Sequence, residues 1–369
     1  MKPHIFMLRE NYDVTLITNA TEQEMAPLLG EHTRFIKLNL QRKIALWQDI
    51  SCLLHLYAIF RREHFDAVQS LMPKSGLLTM IAAFAAGVPH RVHFFTGQVW
   101  ANKTGIARAV LKFFDKAIAL GSTSLLTDGL PQKDFLVAEK IVAENKISIL
   151  GNGSICGVDC DRFKPDQAAR ARMREELGIP SSAIVFIFIG RLNRDKGILD
   201  LARAFISATA RLHGAHLLIV GPDEENVVSK LKDMTLEIAS CVHYVGATDC
   251  PEKYMAVADV ICLPSYREGF GSVIIEAAAV GLPAVVSDIY GLRDSISAGE
   301  TGLYHAVGNV DAIEKALVKL ATDDSLRKEM SEKARIRVCQ YFSTEVIVAA
   351  MREYYCKLLG NQNPNVSSK

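Results

Sequence analysis

Short, continuous apolar runs alternate along this chain with longer stretches whose apolar positions recur every three or four residues. In the first half the runs are DVTLIT, RFIKLNL, FDAVQSL, RVHFF, KAIAL and KISILG. In the second they are AIVFIFIG, AHLLIVG, CVHYVG, DVICLP, PAVVSD and GLYHA. Runs that are apolar throughout, rather than alternating, predict parallel strands covered on both faces. Stretches such as ILDLARAFISATARL and NVDAIEKALVKLAT predict amphipathic helices between them. The expected class is α/β, with two doubly wound domains. A length of 369 residues fits this, since single cores seldom grow past roughly 250–300 residues. The Gly- and Asp-rich GNGSICGVDCDRFKPD reads as the hinge. The expected boundaries are 1–155, 156–342, a helix over 343–360 returning to the first domain, and a disordered tail over 361–369. One irregularity stands at the start. HIFMLRENYDVTLIT reads as the end of a first helix entering a second strand. The first domain is therefore expected to lack its first strand and Gly-rich loop.

Composition changes this picture little. The net charge of +1 gives no global field for nucleic acid. Residues 1–150 hold 17 Lys/Arg and 13 Asp/Glu, a net of +4, and the remainder 25 and 28, a net of −3. An anionic partner or ordinary solvated charge accounts for that split. Eight scattered cysteines, several in apolar runs such as VICLPS, read as reduced cytosolic thiols. Cys156 and Cys160 form an isolated C-x3-C with no second ligand pair, so no metal is expected. The opening does not read as a signal peptide. GLLTMIAAFAAGV, the longest apolar stretch, falls short of the ~20 residues a spanning helix needs.

Candidate chemistry gathers at the ends of two second-half strands. After DVICLPS comes YREGFG, a glycine turn, with Ser272 as expected N-cap of the helix VIIEAAAV and Gly281 and Pro283 ending it. The free N–H groups of that helix start suit a phosphate. Glu268 and Glu276 suit sugar hydroxyls, because a carboxylate accepts several hydrogen bonds. A capped helix with one solvated glutamate explains the stretch equally well. FIGRLNRDKG leaves another strand with Arg191 and Lys196, a fork and a point charge suited to a diphosphate. A nicotinamide oxidoreductase is disfavoured, since GNGSICG and GFGSVI both miss the G-x-G-x-x-G spacing.

GRLNRDKG followed by the E-x7-E of EGFGSVIIE resembles glycosyltransferase family 4, the retaining nucleotide-sugar transferases of GT-B fold. RVHFFTGQVW, LPQKDFL and ILGNGSICGVDCDRF resemble its branch acting on polyprenyl-diphosphate sugars in O-antigen and capsule synthesis. The resemblance implies two Rossmann-like domains facing a cleft and a UDP-sugar donor held by the second. Arg191 and Lys196 would hold the diphosphate, with Gly190 beside them, and Glu268 the sugar hydroxyls. Backbone N–H groups of Gly269, Phe270 and Gly271 would approach the sugar, those of Ser272 and Val273 the diphosphate. Glu276 would hold the ribose, and Val245 and Gly246 would lie by the base. No metal, cofactor or protein nucleophile is implied.

On the acceptor side, Lys74 of MPKSG, His93, Thr96 and Gly97 are candidates; turn chemistry explains Lys74 equally well, and His93 reads equally as a satisfied strand residue. Family members often carry a His where Thr96 stands. Lys103, Arg108, Lys112 and Lys116 fall near one face of NKTGIARAVLKFFDKAIAL, with Ile106, Val110, Phe113 and Phe114 elsewhere. Such a helix either lies on anionic lipid, as a cytoplasmic enzyme peripheral to the membrane would require, or packs on the sheet. The remaining readings are another GT-B sugar-nucleotide enzyme, of epimerase or phosphorylase type, and an inactive nucleotide-binding remnant.

Overall fold

The computed structural model describes residues 1–40 and 45–360. The chain forms two compact units, one of Met1–Cys156 with the stretch that begins at Thr344, the other of Gly157–Ser343. The expected disordered tail, 361–369, lies outside the described residues.

The first unit carries α1 (Lys2–Leu8), β1 (Val14–Thr18), α2 (Glu22–Met25), β2 (Thr33–Lys37), α3 (Leu46–Glu63), β3 (Ala67–Ser70), α4 (Pro73–Ala86), β4 (His90–Phe95), α5 (Gly105–Gly121), β5 (Ser124–Thr127), α6 (Leu130–Ala138) and β6 (Ile147–Ile149). All its strand pairs are parallel, but they form two sheets, β1-β2 and β3-β4-β5-β6. Among the described residues no strand pairs between β1 and β3, the place where a doubly wound order puts its opening strand. The last helix, over Thr344–Leu359, packs here, with Met351 and Tyr355 buried against Val92, Phe94 and Leu126. Its Tyr355 hydroxyl donates to Gln69 at 2.6 Å.

One expected strand is corrected. Lys116–Leu120 (KAIAL) forms the end of α5, and the strand is Ser124–Thr127. Asp115, Ile118 and Ala119 are buried while Lys116 and Leu120 are exposed, which is helical spacing continued from the preceding turns.

The second unit carries α7 (Gln167–Glu176), β7 (Val185–Ile189), α8 (Ile198–Thr209), β8 (His216–Val220), α9 (Val227–Met234), β9 (Val242–Val245), α10 (Pro251–Val257), β10 (Val260–Leu263), α11 (Ser272–Val280), β11 (Ala284–Ser287), β12 (Gly302–His305), α12 (Val310–Thr322) and α13 (Asp324–Tyr341), the C-terminal helix then being α14. Its six strands form one parallel sheet, β12-β11-β10-β7-β8-β9. The strand order reverses between β7 and β10, which pair with Phe186 opposite Val260. A doubly wound sheet opens a crevice for ligand at the carboxyl ends of such a switch point. β7, β8, β10 and β11 are buried at every position, so their apolar composition follows from cover on both faces.

Candidate active site

The loops leaving β7 and β10 meet at that switch point. After β7, Gly190 N–H continues the ladder to Val220 O (3.0 Å) and the N–H of buried Leu192 donates to Pro222 O (2.8 Å). Arg191, between these two anchors, stands out from the sheet edge with its side chain 42% exposed. Asn193 Oδ1 accepts the Lys196 N–H at 3.1 Å and shapes the next turn. Gly197 closes it at φ +67, where a Cβ would lie 2.0 Å from Pro264 O at the end of β10. This close approach, open only to glycine, brings Lys196 Nζ to 2.5 Å from Glu268 Oε1. Ser265 Oγ donates to the same carboxylate oxygen at 2.7 Å.

The glycine turn then enters α11. The expected Ser272 cap is corrected: Gly271 is the N-cap, in the left-handed region at φ +72, and exposed Ser272 is the first helical residue. A Cβ on Gly271 would meet Leu292 Cδ2 at 2.3 Å, so glycine takes the position a capping side chain would need. With no side-chain cap hydrogen bond, the first-turn N–H groups of Ser272 and Val273 lie at the positive end of the helix dipole. Phe270 points its ring into the core against Phe342 (centroids 5.5 Å apart), leaving its backbone and that of Gly269 at the turn. Gly281 ends the helix in the left-handed region, as expected.

Glu276 is half-buried one turn further on. Burial pushes its carboxyl up to about 7, with Arg162 opposing and Glu252 adding to the rise. Arg162 itself holds Glu252 at 2.9 Å and the Asp249 carbonyl at 2.7 Å. Val245 and Gly246 lie at the carboxyl end of β9, where both carbonyls accept the Gly221 N–H at 3.1 Å. Arg191 pairs with Glu224 at 3.0 Å, and Asn193 Nδ2 donates to that glutamate at 3.1 Å. Asn193, Glu224 and Ser265 were not singled out from the sequence. Glu224 lies in the acidic loop GPDEEN directly after β8, the kind of strand-end position that carried the other candidates. Among the described residues no group of three or more His, Cys, Asp or Glu is placed to hold a metal ion.

Residues 7–153 match the family described as "Glycosyl transferase 4-like domain", and residues 169–337 match "Glycosyl transferases group 1". The chain belongs to glycosyltransferase family 4. It is 28% identical over 351 residues to the capsular polysaccharide biosynthesis glycosyltransferase CapM of Staphylococcus aureus, covering 95% of this chain and 91% of that one. It is 29% identical over 367 residues to the UDP-Gal:alpha-D-GlcNAc-diphosphoundecaprenol alpha-1,3-galactosyltransferase of Escherichia coli, covering 96% and 91%. Among solved structures it resembles Anabaena Alr3699/HepE in complex with UDP and glucose. The TM-score is 0.78 at 15% identity, covering 98% of this chain and 95% of that one, a likeness of GT-B fold.

In the first unit of this glycosyltransferase, the acceptor-side candidates lie within β4 or just after the carboxyl ends of β3 and β4. His93 is fully buried, its Nδ1 2.8 Å from Ser70 Oγ and its ring edge-on to Phe95. Burial holds it neutral, with its pKa down to about 3. A Cβ on Gly76 would meet the ring at 2.4 Å. His93 is thus a packed strand residue. Thr96 is half-buried and Gly97 buried beyond it. Lys74, in the first turn of α4, is joined to Asp49 of α3 at 2.5 Å and braces the two helices. A second polar group, not read from the sequence, lies nearby in the chain. Gln132 accepts from Thr127 Oγ1 and the Asp128 N–H and donates to Gln98 at 3.3 Å. Asp128 Oδ1 is buried without a hydrogen-bond partner, and burial lifts this carboxyl to about 8. Polar residues closing an apolar strand were the signal available.

The four cations of α5 and its approach divide. Arg108 and Lys112 pair with Glu139 at 2.8 and 2.5 Å and lie over the Trp100 ring. Lys103 and Lys116 are exposed. The expected single basic face is therefore half occupied, because Glu139 and the indole supply partners inside the unit.

Proposed function

We propose that this enzyme moves a hexose or N-acetylhexosamine from a UDP-sugar to a polyprenyl-diphosphate-linked saccharide, with retention of configuration, in O-antigen or capsular polysaccharide synthesis. The observation that carries the reading is Lys196, on the loop that also carries Arg191, held against Glu268 on the turn into the uncapped start of α11, at the switch point of a doubly wound sheet. Cleavage at the anomeric carbon leaves an oxocarbenium-like sugar and a diphosphate. Lys196, Arg191 and the α11 N–H groups stabilise the departing charge. Glu268 takes sugar hydroxyls and Glu276 the ribose. The acceptor hydroxyl attacks from the leaving-group side and passes its proton to a leaving phosphate oxygen. The cations supply the counter-charge, so the reaction proceeds without a metal. Support for the partners comes from the E. coli relative, named for a diphosphoundecaprenol acceptor, and from UDP and glucose in the Anabaena structure.

The test incubates the enzyme with a panel of UDP-sugars and a synthetic polyprenyl-diphosphate disaccharide, with and without EDTA. NMR then reads the anomeric configuration of the product. Transfer with retention that survives EDTA is expected. An inverted product or a strict metal requirement overturns the mechanism.

The lipid-linked acceptor is reached from the membrane surface. No described helix is long and apolar enough to cross a membrane. The first unit instead exposes Trp47 (85%), Leu46 and Leu54 on α3, and Ile106 (84%), Phe113 and Leu120 on α5. Exposed Arg61 and Arg62 on α3, Lys116 on α5 and Lys103 just before α5 lie along the same stretches. Apolar side chains among cations suit an interface of anionic lipid. Vesicles containing phosphatidylglycerol should co-sediment the protein and neutral vesicles should not. A Trp47→Ser, Phe113→Ser double variant that still sediments fully removes this contact.

A further inference from the structure

Cys160 and Cys339 lie 179 residues apart in sequence, yet their Sγ atoms are 3.2 Å apart. Both belong to the second unit. Cys160 comes just after the chain enters that unit at Gly157, and Cys339 just before it leaves at Ser343. The entering and leaving segments are stitched together by backbone. Val158 N–H donates to Phe342 O at 2.8 Å, and Val158 bridges Ser343 in parallel register. A Cβ on Gly157 would come within 2.6 Å of Phe342 O, so glycine permits this approach. The sulfurs are therefore aligned by the fold.

Access comes from one side. Cys339 is exposed on the last turns of α13 and lines an open cavity of about 800 Å³. That cavity lies at the amino ends of β10 and β11, by Asp259 and Pro283, at the edge of the sheet opposite Lys196 and Glu268. Arg335, one turn before Cys339 on the same helical face, lines it too, with Arg327 and Lys328. A cavity of this size takes a small organic molecule, and its polar lining is of mixed charge, with Asp324 pairing both Arg327 and Lys328.

We infer that Cys160 and Cys339 form a reversible disulfide by exchange with a small-molecule disulfide, RSSR, that enters this cavity. The Cys339 thiolate attacks one sulfur of RSSR, forms a mixed disulfide and expels RS⁻. The Cys160 thiolate then attacks the Cys339 sulfur and expels the second RS⁻. Two protein thiols are oxidised, RSSR is reduced to two RSH, and the two thiol protons pass to the departing thiolates. The bond staples the entering and leaving segments and closes the whole second unit into a loop. Closing so long a loop restricts the unfolded chain and stabilises the fold. With no disulfide among the described residues, a bond at this one close pair fits a regulatory role rather than a structural one.

The test uses the full chain, reduced and then exposed to glutathione disulfide, with remaining thiols alkylated before peptide mapping. The expected result is a crosslinked peptide pair joining Cys160 to Cys339, reversed by dithiothreitol, and a melting temperature raised by about 5 °C or more. Cys160→Ser should instead leave a glutathione adduct on Cys339, and Cys339→Ser should abolish the crosslink with no adduct at Cys160. Recovery of both residues alkylated, a lasting adduct on Cys339 in the unaltered chain, or oxidation confined to other cysteines overturns the inference.

Discussion

Each cation of the proposed donor site holds a carboxylate, Lys196 that of Glu268 and Arg191 that of Glu224. The two pairs differ in weight. The Lys196 pair is largely shielded from water and shares Ser265, whereas Arg191 and Glu224 are both more than a third exposed. Lys196→Ala should therefore lower turnover by roughly 10²–10³, with only a small fall in the circular-dichroism melting temperature, because Ser265 still serves Glu268. Full activity would discard the leaving-group role. Glu224→Gln frees Arg191 from a competing charge. Its UDP-sugar affinity, read by calorimetry, should rise by about 2–5-fold, the scale of an exposed ion pair. Glu276 adds a pH dependence. Its carboxyl is raised to about 7 by burial, and in the proposed role ribose hydroxyls would donate to the ionised form. UDP-sugar affinity should therefore climb as pH rises from 6 to 8 and level off above. In Glu276→Gln that slope should vanish. Of these residues, Arg191, Lys196, Glu268 and Glu276 are legible in sequence because their spacing repeats a known motif. Glu224 and Ser265 act only through partners brought near by folding.

Among elements, the strands of the second unit are legible because cover on both faces demands apolar side chains throughout. The helix end at Lys116–Leu120 is misread for the same reason: a short apolar window does not distinguish a buried strand from one face of a helix. The cap of α11 is misassigned because capping preference favours Ser272, while the crowding of Leu292 against Gly271 is a tertiary fact. The β1-β2 pair is a sheet of two strands whose residues are mostly half-buried, unlike β7 and β8. Two-stranded sheets hold weakly by themselves. Amides of β1 and β2 should exchange with deuterium at least tenfold faster than those of β7 and β8. Equal protection would mean that β1 has a strand partner beyond β2.

For the molecule as a whole, buried titratable groups set the pH range of stability. Asp128 is 2% exposed and keeps its proton to about 8, whereas an unfolded aspartate loses it near 3.8. Between those values the unfolded chain binds fewer protons, so this group makes stability fall as pH rises, by about 1.4 kcal/mol per unit. His93 acts from the other side. It stays neutral down to about 3 against 6.5 when unfolded, so it costs stability as pH falls below 6.5. Urea midpoints should decline from pH 6 to 8, and Asp128→Asn should flatten that decline. An unchanged slope would show that the carboxyl is ionised in the fold. The sequence by itself determined the parallel α/β architecture, the two-unit plan and the motif residues, since burial on both faces and strand-end chemistry leave local marks. Only the tertiary structure decided that Lys196 meets Glu268, that Glu224 answers Arg191 and that Cys160 reaches Cys339. Those meetings depend on β7 pairing with β10 and on backbones touching at Gly157 and Gly197, contacts between distant segments that no local pattern encodes.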